Sequence, residues 1–173
     1  MLEKRICPHF HISLQSGSDN ILKLMNRNDY TASNFLEISQ KINKRLGMRS
    51  PFLTADVIVG FPGEGEAEFA QTLKTLNDSS LNKLHVFVFS PRPGTKAFDI
   101  KQTEQGALIK ERRDALLNFS DTRYKASITG MLGKTVQVLW ETDTFGHSEN
   151  YYPVKGDGKA NTVGSIIIGR DSI

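Results

Sequence analysis

Strand-like and helix-like stretches alternate through the first 129 residues of this 173-residue chain, and that alternation constrains its fold more than any other feature. Residues 7–15 read as a strand. Ser16-Gly17-Ser18-Asp19 then turns into a short helix through Met25, with Ser18 or Asp19 as its N-cap. Residues 31–46 are helical by pattern, because Phe35, Ile38, Ile42 and Leu46 recur at three- and four-residue steps. Gly47 suits a C-terminal cap. Residues 53–59 read as a buried strand. Gly60-Phe61-Pro62-Gly63 leads into a helix over 64–77, with Phe69, Leu73 and Leu76 on one side. Its early acidic residues Glu64, Glu66 and Glu68 suit the positive end of the helix dipole. Residues 84–89 form a third strand, followed by a Pro/Gly loop and a long helix over 106–127, with Leu108, Leu116 and Phe119 inward. Strands separated by helices of ten or more residues imply βαβ units, hence an α/β fold with a parallel sheet.

The pattern changes near Gly130. Short β-like runs at 135–141, 150–154 and 163–168 are punctuated by Gly146, Gly156 and Gly158. They predict a second domain, a small antiparallel barrel or sandwich, with the boundary between Thr129 and Lys134. The expected division is therefore 1–129 and 130–173.

A single cysteine, Cys7, rules out an intrachain disulfide and cannot by itself hold an iron–sulfur cluster or a usual structural zinc. No metal site is assigned. The net charge of +3 permits a nucleic-acid partner without demanding one. The first residues carry no apolar h-region, and no apolar run approaches a membrane span. The expectation is a cytoplasmic protein.

Three segments offer chemistry. On an extended first strand, Cys7, His9, His11, Ser13 and Gln15 share one face, and Phe10, Ile12 and Leu14 the other. Such a polar row suggests either a polar cavity or a solvated strand face. On the second strand Thr54 and Asp56 share a face with Ile58. A carboxylate there needs a partner, which is either a histidine or arginine or a polar ligand. Gly60-Phe61-Pro62-Gly63-Glu64 sits where a parallel strand ends and a helix begins, the rim at which α/β folds place ligands. It lacks the Gly-Lys-Ser/Thr of a P-loop. Arg92, between two prolines in Ser90-Pro91-Arg92-Pro93-Gly94-Thr95, is suited to a carboxylate or phosphate.

Together, His9-Phe10-His11-Ile12-Ser13-Leu14-Gln15-Ser16-Gly17-Ser18-Asp19, Met25-Asn26-Arg27, Asp56-Val57-Ile58-Val59-Gly60-Phe61-Pro62-Gly63-Glu64 and the Ser90–Thr95 loop resemble the methylthiotransferase family of radical S-adenosylmethionine (SAM) enzymes. The region after Gly130 resembles that family's RNA-binding TRAM domain. The resemblance implies the back half of a radical SAM barrel followed by a small OB-like β-domain. It also implies SAM and four-iron four-sulfur (4Fe-4S) clusters in the complete enzyme. The reaction it implies is transfer of a methylthio group to an adenosine of tRNA or an aspartate of a ribosomal protein, through a 5′-deoxyadenosyl radical. Segments such as Gly94-Thr95-Lys96-Ala97 look most like the branch acting on threonylcarbamoyladenosine at tRNA position 37.

Carried onto this sequence, the resemblance places Gln15, Ser16, Asp56, Gly60, Phe61, Pro62, Gly63 and Glu64 around SAM. Arg92 faces substrate or SAM, and no catalytic acid, base or nucleophile is assigned. Lys134, His147, Lys155, Lys159 and Arg170 would contact phosphates of the partner tRNA, with Tyr151 or Tyr152 stacking on a base. The family's CxxxCxxC cluster loop has no counterpart here. The expectation is a chain lacking the N-terminal half, inactive alone, with that half as a second partner. The alternative reading is a non-catalytic RNA-binding module.

Overall fold

The computed structural model describes residues 6–102 and 104–173. Eleven strands and α-helices follow one another: β1 (His9–His11), α1 (Asp19–Leu24), α2 (Ala32–Leu46), β2 (Phe52–Val59), α3 (Glu66–Asp78), β3 (Lys83–Val88), α4 (Gly106–Thr129), β4 (Thr135–Trp140), β5 (Phe145–Ser148), β6 (Pro153–Lys155) and β7 (Thr162–Ile167). The chain forms two compact units. One comprises the described residues up to Phe10, with Ile42–Phe52 and Tyr124–Ile173; the other comprises His11–Lys41 and Leu53–Arg123.

The second of these is the α/β unit. Its β2 and β3 run parallel, with Asp56 opposite His85 and Ile58 opposite Phe87. Leu53, Ala55, Val57 and Val59 alternate into the core and are almost wholly buried, with Leu14, Leu22, Leu76, Leu84 and Leu116. Each such aliphatic side chain contributes about 1.5–3 kcal/mol by leaving water. The first strand is shorter than expected from the sequence. Gln15 adopts φ 65, outside strand geometry, so its pairing with Val57 is an isolated bridge. Helix α2 starts on a reciprocal cap: Asn34 Oδ1 accepts from the Thr31 N–H at 3.0 Å, and Thr31 Oγ1 accepts from the Asn34 N–H at 3.2 Å. Ser18 does precede α1, but its side chain makes no capping bond; Asp19 Oδ1 instead accepts from Ala32 N–H at 2.8 Å and caps α2. Ile38, expected inward, is half exposed.

The other unit carries an antiparallel sheet in the order β6-β5-β4-β7. Val136, Val138 and Trp140 point inward from β4 and pack with Phe52, Met131, Tyr152, Val154 and Ile168. Two glycines make room for Trp140. A Cβ on Gly158 would stand 2.2 Å from Cδ2 of its ring, and one on Gly146 would stand 2.3 Å from the Leu139 carbonyl oxygen. The strand expected over 150–154 begins only at Pro153, because Tyr151 turns at φ 67 and donates its N–H back to the Ser148 carbonyl at 2.8 Å. Strand β5 had no sequence expectation; its Gly146, His147 and Ser148 are poor strand formers.

Candidate functional site

Strand β2 ends in the glycine loop, and the α/β unit holds that loop from three sides. Gly60 and Gly63 have φ 74 and 93, values that glycine reaches without steric cost. A Cβ on Gly60 would also come within 2.8 Å of the Ile109 side chain. Glu64 is buried, and its Oε2 accepts the Gly60 N–H at 2.7 Å. Arg112, equally buried on α4, donates to the Glu64 carbonyl at 2.6 Å and stands 3.6 Å from the Glu64 carboxylate. Gln102 Nε2 donates to the Gly60 carbonyl at 2.8 Å. Burial pushes the Glu64 carboxyl above its ordinary pKa; the Gly60 N–H and the Arg112 guanidinium pull it back only in part. Of the five loop residues, Phe61, Pro62 and Glu64 are buried and only Gly63 is exposed.

The loop after β1 is fixed against α3. Gly17 N–H donates to Thr72 Oγ1 at 3.1 Å, and Thr75 Oγ1 donates to the Gly17 carbonyl at 3.2 Å. A Cβ on Gly17 would sit 2.6 Å from the Thr72 Cα, so only glycine fits. Gln15 and Ser16 are buried beside it. The Ser18 hydroxyl is the one buried side-chain polar atom without a hydrogen-bond partner among the described residues.

On the partly open face of the sheet, Asp56 lies 3.3 Å from His11 Nε2, and Thr54 Oγ1 lies 3.0 Å from His11 Nδ1. With the proton on Nε2 facing the carboxylate, Nδ1 accepts from the threonine hydroxyl. The His85 ring stands 5.7 Å from that of His11, across β2. Asp56 thus has the histidine partner that was one of its two readings, and its side chain keeps 26% of its surface open to a ligand.

A cavity of about 440 Å³ adjoins this face, lined among others by Met25, Arg27, Phe61, Phe89, Thr95 and Lys96. Phe61 and Phe89 meet edge to face with centroids 4.9 Å apart. Arg27 reaches it through the way α1 ends. Asn26 takes the left-handed conformation at φ 59, its N–H bonds the Lys23 carbonyl at 2.9 Å, and the Arg27 N–H bonds the Leu22 carbonyl at 2.9 Å. These two bonds are a Schellman closure, with asparagine where glycine is usual. Arg92 is exposed on the neighbouring loop, where its carbonyl accepts from Thr95 Oγ1 at 2.8 Å.

Comparison with known proteins adds a decisive observation. Residues 1–76 match the family model described as the Radical SAM superfamily. The threonylcarbamoyladenosine tRNA methylthiotransferase of Thermotoga maritima is 37% identical over 166 residues, covering 94% of this chain and 37% of that protein. The protein of the same name from Rickettsia prowazekii is 39% identical over 163 residues, covering 94% and 38%. The tRNA-2-methylthio-N(6)-dimethylallyladenosine synthase of Endomicrobium trichonymphae is 36% identical over 169 residues, covering 95% and 40%. Over nearly its whole length the chain is similar to radical SAM tRNA methylthiotransferases. It spans about two fifths of the length of these curated relatives.

The residues expected to meet RNA divide sharply. Lys155, Lys159 and Arg170 are exposed, and their side chains have no partner among the described residues. Lys134 Nζ donates to Ser50 Oγ at 2.6 Å, and His147 Nδ1 lies 2.7 Å from Glu141 Oε1. Tyr151 stacks with His9 at 4.6 Å and with His147 at 4.8 Å between centroids, yet stays 55% exposed. Tyr152 is a core residue, 2% exposed.

Sequence reasoning passed over Arg112, Gln102 and Thr72. Arg112 did carry a signal, since it stands at the four-residue step between Leu108 and Leu116 on the inward stripe of α4. Cys7 is exposed, and among the described residues no group of three or more His, Cys, Asp or Glu is arranged to hold a metal ion. No helix among those residues is long and apolar enough to cross a membrane.

Proposed function

We propose that this chain is the SAM- and tRNA-holding part of an enzyme that adds a methylthio group to a modified adenosine at tRNA position 37. Residues 1–129 serve as the SAM-cradling part and residues 130–173 as a TRAM-like RNA-binding part. The observation that carries this reading is Asp56. It is a partly open carboxylate within β2 between apolar neighbours, held by His11, on the strand that leads into the glycine loop. SAM has a cationic sulfonium and ammonium, a carboxylate and two ribose hydroxyls. A carboxylate on this strand suits the first pair, and the buried Ser18 hydroxyl near Gln15 and Ser16 is a hydroxyl still lacking a partner among the described residues. Glu64 does not belong to that donor set in this arrangement, because its carboxylate is spent on Gly60 and Arg112. It acts on the ligand only through the loop it shapes.

The 4Fe-4S clusters do not fit this chain. One exposed cysteine provides one ligand, whereas a cluster takes four thiolates or three with SAM. By the family resemblance, SAM and a reduced cluster would supply the radical and the methyl group. Here the residues hold, orient and exclude water, and the thiolates come from outside these 173 residues. The test is reconstitution. The chain is combined, in cis or in trans, with the cluster-bearing part of a relative, its clusters are rebuilt anaerobically, and nucleosides from digested tRNA are read by mass spectrometry. Methylthiolated adenosine is expected. Its absence from a protein with full cluster occupancy overturns the proposal.

A further inference from the structure

We infer that Arg27 and Lys96 form an anion-recognition pair that selects an adenosine whose N6 substituent carries a carboxylate. This rests on the reading of the chain as the tRNA-holding part of a methylthiotransferase. The names of the relatives define two chemistries: a threonylcarbamoyl group, which bears a carboxylate at neutral pH, and a dimethylallyl group, which is a bare hydrocarbon.

The cavity between Phe61 and Lys96 discriminates between them. Its apolar lining, Phe61 and Phe89 with Ile58 and Met25, is suited to a planar base. Among the described residues its charged lining is wholly cationic: Arg27 and Lys96 line it and no carboxylate does. SAM sets one carboxylate against two cationic centres, its sulfonium and its ammonium, so a wholly cationic charged lining complements only part of it. A base with an appended carboxylate complements both parts of the lining.

Both cations are held by local structure. Arg27 is set at the Schellman turn by Asn26 and lies close enough to the Tyr30 phenol to oppose the burial-driven rise of its pKa. Tyr30 donates to the Leu14 carbonyl at 3.0 Å. Lys96 opens the short 3-10 helix Lys96–Phe98, and its ammonium has no partner among the described residues. Both cations are exposed, so a ligand without the carboxylate leaves them hydrated and gains nothing from them; the preference comes from the charge pairing alone.

The test uses the full chain and three synthetic anticodon-arm RNAs, alike except for the target base: adenosine, threonylcarbamoyladenosine and dimethylallyladenosine. Affinities are compared at one ionic strength. The threonylcarbamoyl arm should bind about tenfold tighter than the other two. The double variant R27Q/K96Q should lower its affinity to theirs and leave theirs within about twofold. A fourth arm, carrying the methyl ester of the threonylcarbamoyl group, removes the charge from the ligand and leaves the protein untouched. It should lose the same tenfold.

Equal binding of the first three arms, or undiminished binding of the ester, overturns this inference and leaves the tRNA reading standing. An equal loss on all arms in R27Q/K96Q assigns the two cations to the phosphodiester chain and overturns the inference. Failure of every arm to bind at low salt overturns the tRNA reading and the inference with it.

Discussion

Arg112 grips Glu64 twice. Its guanidinium donates a 2.6 Å hydrogen bond to the Glu64 carbonyl oxygen and stands 3.6 Å from the Glu64 carboxylate, with both side chains under 5% exposed. The glycine loop at the end of β2 thus takes its form from α4, almost fifty residues further along the chain. Replacing Arg112 with alanine strands a buried carboxylate and a buried carbonyl. The expected cost is about 3–5 kcal/mol in urea unfolding. A midpoint unchanged from the parent would show that the pair does not hold the loop.

The same pair sets a pH dependence. Burial raises the Glu64 carboxyl above its ordinary value, so between the unfolded and folded values the folded chain binds more protons than the unfolded one. Stability from this group is therefore fully present below the ordinary carboxylate pKa and is lost as pH rises through the raised one. In E64Q the amide oxygen still accepts the Gly60 N–H but does not titrate. The urea midpoint of E64Q, followed from acid to neutral pH, should lack that decline. Parallel profiles for parent and variant would contradict the raised value.

The turn that positions Arg27 depends on Asn26 at φ 59. N26G should be near neutral, and N26V should cost about 1–2 kcal/mol, because a β-branched residue resists left-handed geometry. Equal stability of the two variants would mean that the end of α1 rearranges freely.

Trp140 is the only tryptophan of the chain, so its fluorescence reports the β-sheet unit directly. G158A places a methyl against the ring, where 2.2 Å is available. It should shift the emission to the red and cost about 1–3 kcal/mol. G47A meets nothing within 4 Å and should leave the spectrum untouched.

For RNA, removal of the unpartnered charges in K155Q, K159Q and R170Q should weaken tRNA binding and reduce the salt slope by about one per lost phosphate contact. K134Q, whose ammonium is engaged with Ser50, should change the slope less. A slope the same in all four variants would place the RNA elsewhere.

Much of the α/β unit was legible because its strands alternate cleanly. Leu53, Ala55, Val57 and Val59 announce a buried face, and Leu108, Leu116 and Phe119, eight and three residues apart, announce a helix stripe, though Leu108 and Phe119 are only half buried. What escaped was set by pairwise chemistry across long separations. Gly17 reads as a turn residue, yet its reason is the Thr72 backbone beside it. Glu64 reads as an acidic helix start facing a ligand, yet its carboxylate folds back to Gly60. In the β-rich unit Tyr151 reads as a stacking ring, and within the chain it stacks on His9 and His147. Periodicity carries no information about such partners.

The stack of His9 on Tyr151 also sets an order of events during synthesis. The unit containing it draws on three separate stretches of chain, the last beginning at Tyr124, while the α/β unit is complete once Arg123 has left the ribosome. Domains fold as units as they emerge. The α/β unit therefore forms while the early segments around His9 and Phe52 still await the partners that Tyr151 and Tyr152 provide. A ribosome stalled within β4 would release a chain with one finished unit and a tail whose core has no Trp140 to close on.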